Sequence, residues 1–435
     1  MLETLRTLDR AGHRSWVVGG TVRDLLLGRP STGAADVATP ATPQQVMALF
    51  PKVVPTGVEH GTVTVLAGAA KVEITTFRGE GRYLDGRRPS SVTFHTDLTE
   101  DLARRDFTMN ALAWDPLAGE LRDPFQGRAD LRRRLIRAVG DAAARFAEDG
   151  LRPMRALRFV AQLGYSVERA TLAAIPDAAP VMRLVSAERV ADELSKLLAA
   201  PHAARALGLL RKTGLLGVVL PPIGPLPPEV AAHAVEVAAS AVDRPLGTGA
   251  SARRPELGVL RLAALLHVVP AADAAKAIGA LRLPGRTAAE VSALLAQRPC
   301  LRAAPLALPE DPREVRRWLA AVTPARVPAL LALWEADAAH AGRASRPAAA
   351  ALRRLRGMAA RALRQRPPLS TNDLVLDGRA VMDRLGLSPG PEVGEALRHL
   401  LDRVLDDPRL NRPGALEEAL RAWWAARRGA SGAGA

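Results

Sequence analysis

Cysteine is almost absent from this 435-residue sequence, in which Cys300 is the single example. One cysteine excludes a disulfide framework and a zinc site built from cysteine thiolates. Aromatic residues make up 3% of the chain, too few for a platform on which single-stranded nucleic acid stacks. No apolar run reaches the length of about 20 residues that a membrane span needs, and the N-terminus lacks a signal-peptide pattern. These absences predict a cytoplasmic protein that has no membrane partner.

Basic residues are in excess, with 60 lysines and arginines against 45 aspartates and glutamates and a net charge of +15. Two explanations stay open. An arginine-rich composition is typical of a GC-rich genome, and excess positive charge is also typical of a protein that binds a polyanion. For a nucleic-acid partner, phosphate contacts to a structured RNA or DNA fit this composition better than base stacking does.

The stretch from Ser15 to Thr39 has the order expected of a phosphate site. Its apolar run Trp16–Val18 predicts a buried strand, and Gly19-Gly20 predicts a tight turn whose backbone approaches a ligand closely. Arg23 follows on an amphipathic turn, and a second strand brings Asp36 towards the same place. A glycine turn, a guanidinium and a carboxylate in this order suit the binding of a triphosphate and a metal ion.

The chain is too long for one core, and its patterns divide it into two classes of structure. Up to about residue 130, strand and helix patterns alternate; Thr42 to Gln45 carries a helical capping box, and Val92–Phe94 follows a predicted loop at residues 78–91. After residue 140 nearly every segment has helical periodicity: 141–164, 186–200, 202–216, 229–242, 255–268, 287–297, 311–321, 327–340, 346–365, 392–406 and 415–427. The predicted fold class is an α/β N-terminal part followed by all-α parts.

Two polar runs are candidates for chemistry. Arg104 to Asn110 contains paired arginines, an aspartate and an asparagine, which can clamp phosphates and sugar hydroxyls but also suit a solvated helix start. Asp149 and Arg152 are three residues apart and share one face of a helix, where such a pair is otherwise a weak surface ion pair. Arg155 and Arg158 continue that edge.

Taken together, these motifs resemble one family. They occur in this order: Gly19-Gly20-x-Val22-Arg23-Asp24, Asp36-x-Ala38-Thr39, Glu73-Ile74-Thr75-Thr76-Phe77, Arg87-Arg88-Pro89, Arg104-Arg105-Asp106-x-Thr108-x-Asn110, Glu148-Asp149-x-x-Arg152 and Val185-Ser186-Ala187-Glu188-Arg189. The ordered set resembles the bacterial class II tRNA nucleotidyltransferase/poly(A) polymerase family, the CCA-adding enzymes of the polymerase-β nucleotidyltransferase superfamily. The resemblance covers almost the whole chain.

The resemblance implies a seahorse-like series of domains. Residues 1–138 would form the nucleotidyltransferase head, 139–220 a helical neck with the nucleotide-template helix and an RNA-binding region, 221–365 a helical body and 366–435 a helical tail with a frayed C-terminus. The implied reaction adds C, C and A to the 3′ end of tRNA from CTP and ATP without a nucleic-acid template. The acceptor and T arm of the tRNA would be the contacted regions.

The resemblance also implies a role for each candidate residue. Gly19, Gly20 and Arg23 would hold the triphosphate, and Asp149 with Arg152 would read the base. Arg105, a catalytic candidate, would act with Asp106 and Asn110 on the ribose and phosphates; Arg155 and Arg158 would complete the nucleotide site. Asp36 would be a catalytic carboxylate that binds Mg²⁺. From the sequence itself, Glu73 on the neighbouring predicted strand is the nearest further carboxylate and the second candidate for catalysis and Mg²⁺ binding.

One family position differs in this chain. The family carries Asp-x-Asp at its two-metal site, whereas here Ala34 stands where the first aspartate is expected. This leaves alternatives open: a CCA-adding enzyme, a specialised relative that adds only A, only CC or poly(A), or a catalytically impaired tRNA-binding protein. The Arg87-Arg88-Pro89 loop argues against a CC-only enzyme.

Two further residues carry expectations of their own. Pro153, directly after Arg152, is tolerated in a first helical turn and kinks a helix further in. Valine follows His267, so the His-Asp metal pair of some relatives is not expected there, and His267 is interpreted as an ordinary helix residue.

Overall fold

The fold is that of a computed structural model, which describes residues 1–30, 34–68, 70–80, 92–94, 97–241, 256–297, 308–342 and 345–432. Cys300 and the predicted loop at Arg87-Arg88-Pro89 lie outside these residues. The chain forms two compact units, one made of residues 1–231 and 275–284, the other of 232–274 and 285–435. The division into head, neck, body and tail stays a prediction.

The first unit contains the described strands. They are β1 (Trp16–Val18), β2 (Ala35–Thr39), β3 (Val53–Gly57), β4 (Thr62–Ala67), β5 (Ala70–Thr76), β6 (Arg78–Glu80), β7 (Val92–Phe94), β8 (Ala113–Asp115), β9 (Glu120–Arg122), β10 (Leu135–Ile136) and β11 (Ser166–Val167). Seven of them form one mixed sheet in the order β3-β4-β5-β2-β1-β8-β9, in which only β2 and β5 are parallel neighbours. The predicted loop at 78–91 is wrong at its start, because residues 78–80 pair with β7.

Helices account for most of the remainder. They are α1 (Leu2–Arg10), α2 (Gly20–Leu26), α3 (Pro43–Leu49), α4 (Leu98–Ala103), α5 (Gly127–Arg133), α6 (Ala142–Glu148), α7 (Arg152–Leu163), α8 (Arg169–Ala173), α9 (Ala179–Met182), α10 (Ala187–Ala199), α11 (Ala203–Lys212), α12 (Leu215–Val219), α13 (Pro228–Ser240), α14 (Leu257–Leu266), α15 (Ala271–Ala280), α16 (Gly285–Ala296), α17 (Pro312–Val322), α18 (Val327–His340), α19 (Arg346–Arg364), α20 (Gly378–Leu385), α21 (Pro391–Asp406) and α22 (Pro413–Gly432). The predicted fold class, an α/β part followed by helical parts, is confirmed.

The strands β2 and β5 place two carboxylates side by side. Asp36 and Glu73 are partners in the parallel register, so their side chains leave the same face of the sheet. Val72 and Ile74 are buried on the opposite face, while Glu73 is exposed. The alternation of the sequence alone predicts this orientation of Glu73.

The predicted helix over 141–164 is two helices. α6 ends at Glu148 and α7 begins at Arg152, with Asp149 between them as the C-cap of α6. Pro153 therefore lies in the first turn of α7, where its missing N–H removes no helical hydrogen bond. Pro153 is a helix start here and causes no kink.

The second unit is built from α-helices with largely apolar faces. A tail cluster, in which Val381, Leu400, Val404 and Leu416 are buried, joins α20, α21 and α22. The last helix, α22, ends at Gly432, and the predicted fraying of the C-terminus stays a prediction. Within the described residues no single helix suffices to cross a membrane; α17 and the segment Pro324–His340 meet the length and composition test only as a pair bent by 92°.

Candidate functional site

The first unit contains a cleft of about 430 Å³ with a strongly cationic lining. Seven arginines and three aspartates line it, which leaves an excess of positive charge. The lining residues are Gly19, Gly20, Arg23, Asp36, Arg104, Arg105, Asp106, Asn110, Asp149, Arg152, Arg155, Arg158, Phe159 and Arg189. Converging guanidinium groups with few carboxylates fit a polyanionic ligand such as a triphosphate.

The glycine turn after β1 lets two charged side chains come close to the backbone. Gly19 has a φ of 70°, a conformation that side chains other than glycine rarely adopt. A Cβ on Gly19 would lie 2.7 Å from Nη1 of Arg105 and 3.6 Å from Oδ2 of Asp36. The positive φ favours glycine at this position, and a Cβ would in addition displace the end of the Arg105 side chain.

Arg23 on α2 is fixed from two sides. Its Nε and Nη2 donate to the two carboxylate oxygens of Asp24 at 2.9 Å each, and its Nη1 donates to Oδ1 of Asn110 at 2.8 Å. The guanidinium also lies over the ring of Phe159, with 5.0 Å between its Cζ and the ring centroid. A guanidinium held in this way loses little side-chain entropy when an anion binds.

Asp101 on α4 holds Arg104 and Arg105 together. Its side chain is fully buried; Oδ1 accepts from Nε of Arg104 at 3.0 Å, and Oδ2 accepts from Nη2 of Arg105 at 3.2 Å. Burial raises the pKa of Asp101, but the two guanidinium groups outweigh it and hold the pKa below its usual range. The paired arginines thus keep their place through a buried anion.

Two buried guanidinium nitrogens in the cleft have no acceptor. The described residues offer no hydrogen-bond partner to Nε of Arg105 or to Nη1 of Arg189. Buried donors are nearly always paired, so these two atoms point to an acceptor that a ligand brings. Phosphate, ribose and base oxygens are acceptors of this kind.

Asp106 follows α4 in the chain and is linked to α7 through Arg155. Its Oδ2 accepts from Nε and Nη2 of Arg155 at 2.8 and 2.6 Å, and its Oδ1 accepts from Nδ2 of Asn110 at 2.9 Å. Burial raises the pKa of Asp106, yet Arg155 and Asn110 outweigh it and lower the pKa to about 2. Asp106 is thus a fully ionised anchor for Arg155.

This anchor predicts a pH dependence of stability. A carboxyl whose folded pKa is lowered stabilises the fold above its unfolded pKa of about 3.9, and that contribution is lost as the pH falls towards the folded value. The lowering to about 2 corresponds to about 2–3 kcal/mol at pH 7. Asp106→Asn should therefore lose about this much unfolding free energy at pH 7 in urea titrations, and less at pH 3. An equal loss at both pH values would contradict the assignment of the anchor.

Asp149 is held at the break between α6 and α7. Its Oδ1 accepts from the backbone N–H of Leu151 at 3.0 Å, and its Oδ2 accepts from Nη2 of Arg189 at 2.9 Å. Gly150 lies directly against α9, since a Cβ there would be 2.6 Å from the backbone of Val181. Gly150 thus permits the segment between α6 and α7 to pack closely against α9.

Arg152, the first residue of α7, is buried and faces several acceptors. Its Nη1 donates to the carbonyl oxygen of Arg145 at 2.8 Å and pairs with Glu148, while its Nη2 donates to the carbonyl oxygen of Arg104 at 2.9 Å. These contacts tie the start of α7 to α6 and to the end of α4. The guanidinium is consequently held in one orientation at the cleft.

The far side of α7 is organised around Phe159 and Glu193. Arg158 lies over the ring of Phe159 at 4.0 Å from Cζ to the centroid and pairs with the buried carboxylate of Glu193 on α10. Arg155 approaches the same carboxylate at 3.6 Å. Burial lowers the pKa of Arg158, which the Glu193 charge opposes.

Asp36 and Glu73 form a carboxylate pair whose electrostatics favour a cation. Burial raises the pKa of Asp36; the Glu73 charge adds to this, whereas Arg105 and Arg23 oppose it. A carboxylate in that state gains from a further positive charge, and a Mg²⁺-type ion is held by one or two carboxylates plus substrate oxygens and water. The pair therefore fits one divalent cation. Ala34, two residues before Asp36, contributes no ligand.

Eleven of the twelve residues predicted as site residues line this one cleft, and Glu73 is the exception. Their roles in binding and catalysis stay predictions. Arg104, Phe159 and Arg189 also line the cleft but were not among the predicted site residues, although Arg104 and Arg189 lie within the quoted motifs. Arg189 is on α10, 40 residues from Asp149, and no local pattern in the sequence pairs the two.

Comparison with known proteins agrees with these features. The profile of the poly A polymerase head domain matches residues 15–137, and that of the probable RNA and SrmB-binding site of polymerase A matches residues 164–225. The CCA-adding enzyme of Geobacillus stearothermophilus is 37% identical over 424 residues, which are 97% of this chain and 95% of the relative. The predicted resemblance is confirmed.

A second curated relative and a solved structure agree with this result. The CCA-adding enzyme of Geobacillus thermodenitrificans is 54% identical over 214 residues, and this stretch spans about half of each protein, 49% of this chain and 52% of the relative. The crystal structure of the Bacillus stearothermophilus CCA-adding enzyme in complex with CTP superposes with a TM-score of 0.71, at 34% identity, over 98% of this chain and 97% of that one. This chain therefore belongs to the CCA-adding enzymes, a family of nucleotidyltransferases.

Proposed function

We propose that this chain completes and repairs the 3′-terminal CCA of tRNA, using CTP and ATP and releasing pyrophosphate. The observation that carries the proposal is the cleft itself. It brings the phosphate-binding set around Gly19, Arg23 and Arg105 together with the Asp149 and Arg152 pair. One cavity thus holds groups for both ends of a nucleoside triphosphate.

Selection of the base would rest on hydrogen-bond complementarity. C and A both present an exocyclic amine beside a ring acceptor, whereas U and G present a carbonyl oxygen in place of the amine. The Asp149 carboxylate accepts from the amine, and the Arg152 guanidinium donates to the ring acceptor. Leu151 and Arg189 each use one lone pair of Asp149, and a carboxylate has about four in all.

The other end of the nucleotide would be held by charge. Arg23 and Arg105 orient the phosphates, and the unpartnered Nε of Arg105 donates to one of their oxygens. The family generally uses a divalent metal, for which we propose Mg²⁺ held by Asp36 and Glu73. When bound, Mg²⁺ supplies Lewis-acid activation of the tRNA 3′-hydroxyl and neutralises the leaving pyrophosphate.

The proposed RNA partner accounts for the basic composition. The net charge of +15 and the RNA-binding profile at residues 164–225 support contacts to the tRNA acceptor and T arm. We also propose the domain division given above, with residues 1–138 as head, 139–220 as neck, 221–365 as body and 366–435 as tail. A cytoplasmic location is part of the same proposal.

Ala34 favours a second candidate, a tRNA-binding protein with impaired catalysis. The resemblance places a metal-binding aspartate at this position, and a methyl group cannot replace a carboxylate ligand. A specialised relative that adds only A, only CC or poly(A) is the remaining alternative. The eleven predicted site residues that line the cleft support an active enzyme over the impaired binding protein.

A gel assay separates these candidates. The full chain is incubated with Mg²⁺, labelled CTP or ATP, and tRNA that lacks the final A, the final CA or the whole CCA. The products are separated on a gel at single-nucleotide resolution. We expect two C and one A to be added. C alone, A alone or a run of A residues would instead support a specialised relative. No incorporation while the tRNA is still retained on a filter would support the impaired binding protein.

A further inference from the structure

Three ionisable side chains meet in the core of the second unit. His233 lies on α13, His267 caps the C-terminus of α14, and Asp337 lies on α18. Their exposed fractions are 3%, 4% and 1%, so all three are removed from solvent. Burying such groups is costly unless each is paired or coordinates a metal.

The three groups converge on a small volume. Nε2 of His233 is 2.7 Å from Oδ1 of Asp337, and Nε2 of His267 is 3.3 Å from the same oxygen. One ligand atom from each residue lies within 4.8 Å of the other two. The two imidazole rings are 5.5 Å apart between centroids and tilted by 51°, so they do not stack.

The backbone fixes the tautomer of His267. Its Nδ1 is 2.6 Å from the carbonyl oxygen of Ala264, and because a carbonyl only accepts, Nδ1 carries a hydrogen. In the neutral ring Nε2 then presents a lone pair to Oδ1 of Asp337, which is itself an acceptor. The 3.3 Å between these two atoms is longer than a charge-assisted hydrogen bond of about 2.7–2.9 Å.

We propose that His233, His267 and Asp337 bind one divalent transition-metal ion of the Zn²⁺ type. Two imidazole nitrogens and one carboxylate oxygen form a donor set that suits Zn²⁺ and not Mg²⁺. Ligands of a tetrahedral Zn²⁺ ion at about 2.0–2.1 Å lie about 3.3 Å apart, which matches the separation of His267 and Asp337. Nε2 of His233 is 2.7 Å from the same oxygen, so this ring moves away by about 0.6 Å when the ion binds. The Nδ1 contact to Ala264 is the outer hydrogen bond that orients a metal-ligating histidine.

Because all three ligands are buried, the bound ion has a structural role. The ligands come from three helices, so the metal links α13, α14 and α18 and stabilises the folded second unit. His233 and Asp337 are 104 residues apart, and valine follows His267, which is why no sequence pattern announces the site.

The test uses the full chain carrying Asp36→Asn, which removes the proposed Mg²⁺ ligand of the cleft. The protein is unfolded, refolded with and without ZnCl₂, desalted and measured by elemental analysis and thermal melting. We expect one retained equivalent of Zn²⁺ and a melting temperature several degrees higher than that of the metal-free protein. Co²⁺ in place of Zn²⁺ should give the visible absorption of a tetrahedral histidine site.

The matched control lies on the same helix as Asp337. His340→Gln on α18 removes a partly exposed histidine that bonds Ser240, and it should retain the Zn²⁺. His267→Gln and His233→Gln should each lose the retained metal and the thermal shift. If these two variants fail to fold, the measurements on the Asp36→Asn parent still test the proposal. No retained Zn²⁺, no Co²⁺ absorption and no thermal shift in the parent would overturn the proposal and leave a proton-bridged His-Asp-His cluster; so would metal retention by both folded variants.

Discussion

Asp36→Asn is expected to reduce nucleotide incorporation by more than roughly 100-fold, since partners that merely orient a metal ligand already cost 10–100-fold. Asp36 is the carboxylate that both lines the cleft and pairs in register with Glu73. Asparagine keeps the shape of the side chain but lacks the negative charge that a divalent cation requires. Steady-state incorporation of labelled CTP by the variant and the parent measures the loss.

The same variant should be more stable than the parent at neutral pH. Burial raises the pKa of Asp36, so its anionic form opposes folding. The stability that this carboxyl contributes is present at low pH and is lost as the pH rises through the raised folded pKa. Melting temperatures in EDTA should therefore favour the variant at pH 7, and the difference should vanish as the pH falls and Asp36 becomes protonated.

Two controls make the Asp36 result specific. Asp9→Asn on α1 changes an exposed aspartate in the same way and should leave both incorporation and melting unchanged. Ala34→Asp restores a carboxylate two residues away on the same face and should raise incorporation. Full activity in Asp36→Asn would show that Asp36 is not a ligand of the catalytic metal. If Ala34→Asp changes nothing while Asp36→Ala abolishes incorporation, Ala34 is not a damaged ligand position.

Local sequence patterns were sufficient for those parts of the fold that short-range physics determines. The capping box is one example: Gln45 donates its backbone N–H to Oγ1 of Thr42 at 3.3 Å, and its Oε1 accepts from the N–H of Thr42 at 2.8 Å. Glu73 is another, because alternation along one strand determines its face. Such features depend on residues only a few positions apart, and the sequence displays them directly.

The contacts that could not be predicted join distant segments. Arg189 reaches Asp149 across 40 residues, and Arg152 reaches the carbonyl oxygen of Arg104 across 48. Asp101 illustrates the same limit, since an aspartate in the first turn of a helix is ordinarily exposed. Packing buries it fully, and two arginines compensate its charge.

Asp149→Asn is expected to relax the choice of base. Replacing one carboxylate oxygen by an amide nitrogen turns an acceptor for the amines of C and A into a donor that also fits the carbonyls of U and G. A good bidentate base contact contributes about 1–3 kcal/mol of discrimination, so the preference for CTP over UTP should fall roughly 10- to 100-fold. Values of kcat/KM for all four nucleotides, measured on tRNA lacking CCA, provide the ratio.

Arg189→Gln is the matched control for this prediction, because it removes the neighbour of Asp149 and leaves the base-reading groups in place. It should lower incorporation of CTP and ATP together, since Asp149 loses the contact that positions it, while the ratio between CTP and UTP changes little. The two variants thus distinguish the reading of the base by Asp149 from the positioning of Asp149 by Arg189. An equal loss for all four nucleotides in Asp149→Asn would show that Asp149 supports the break between α6 and α7 and does not read the base.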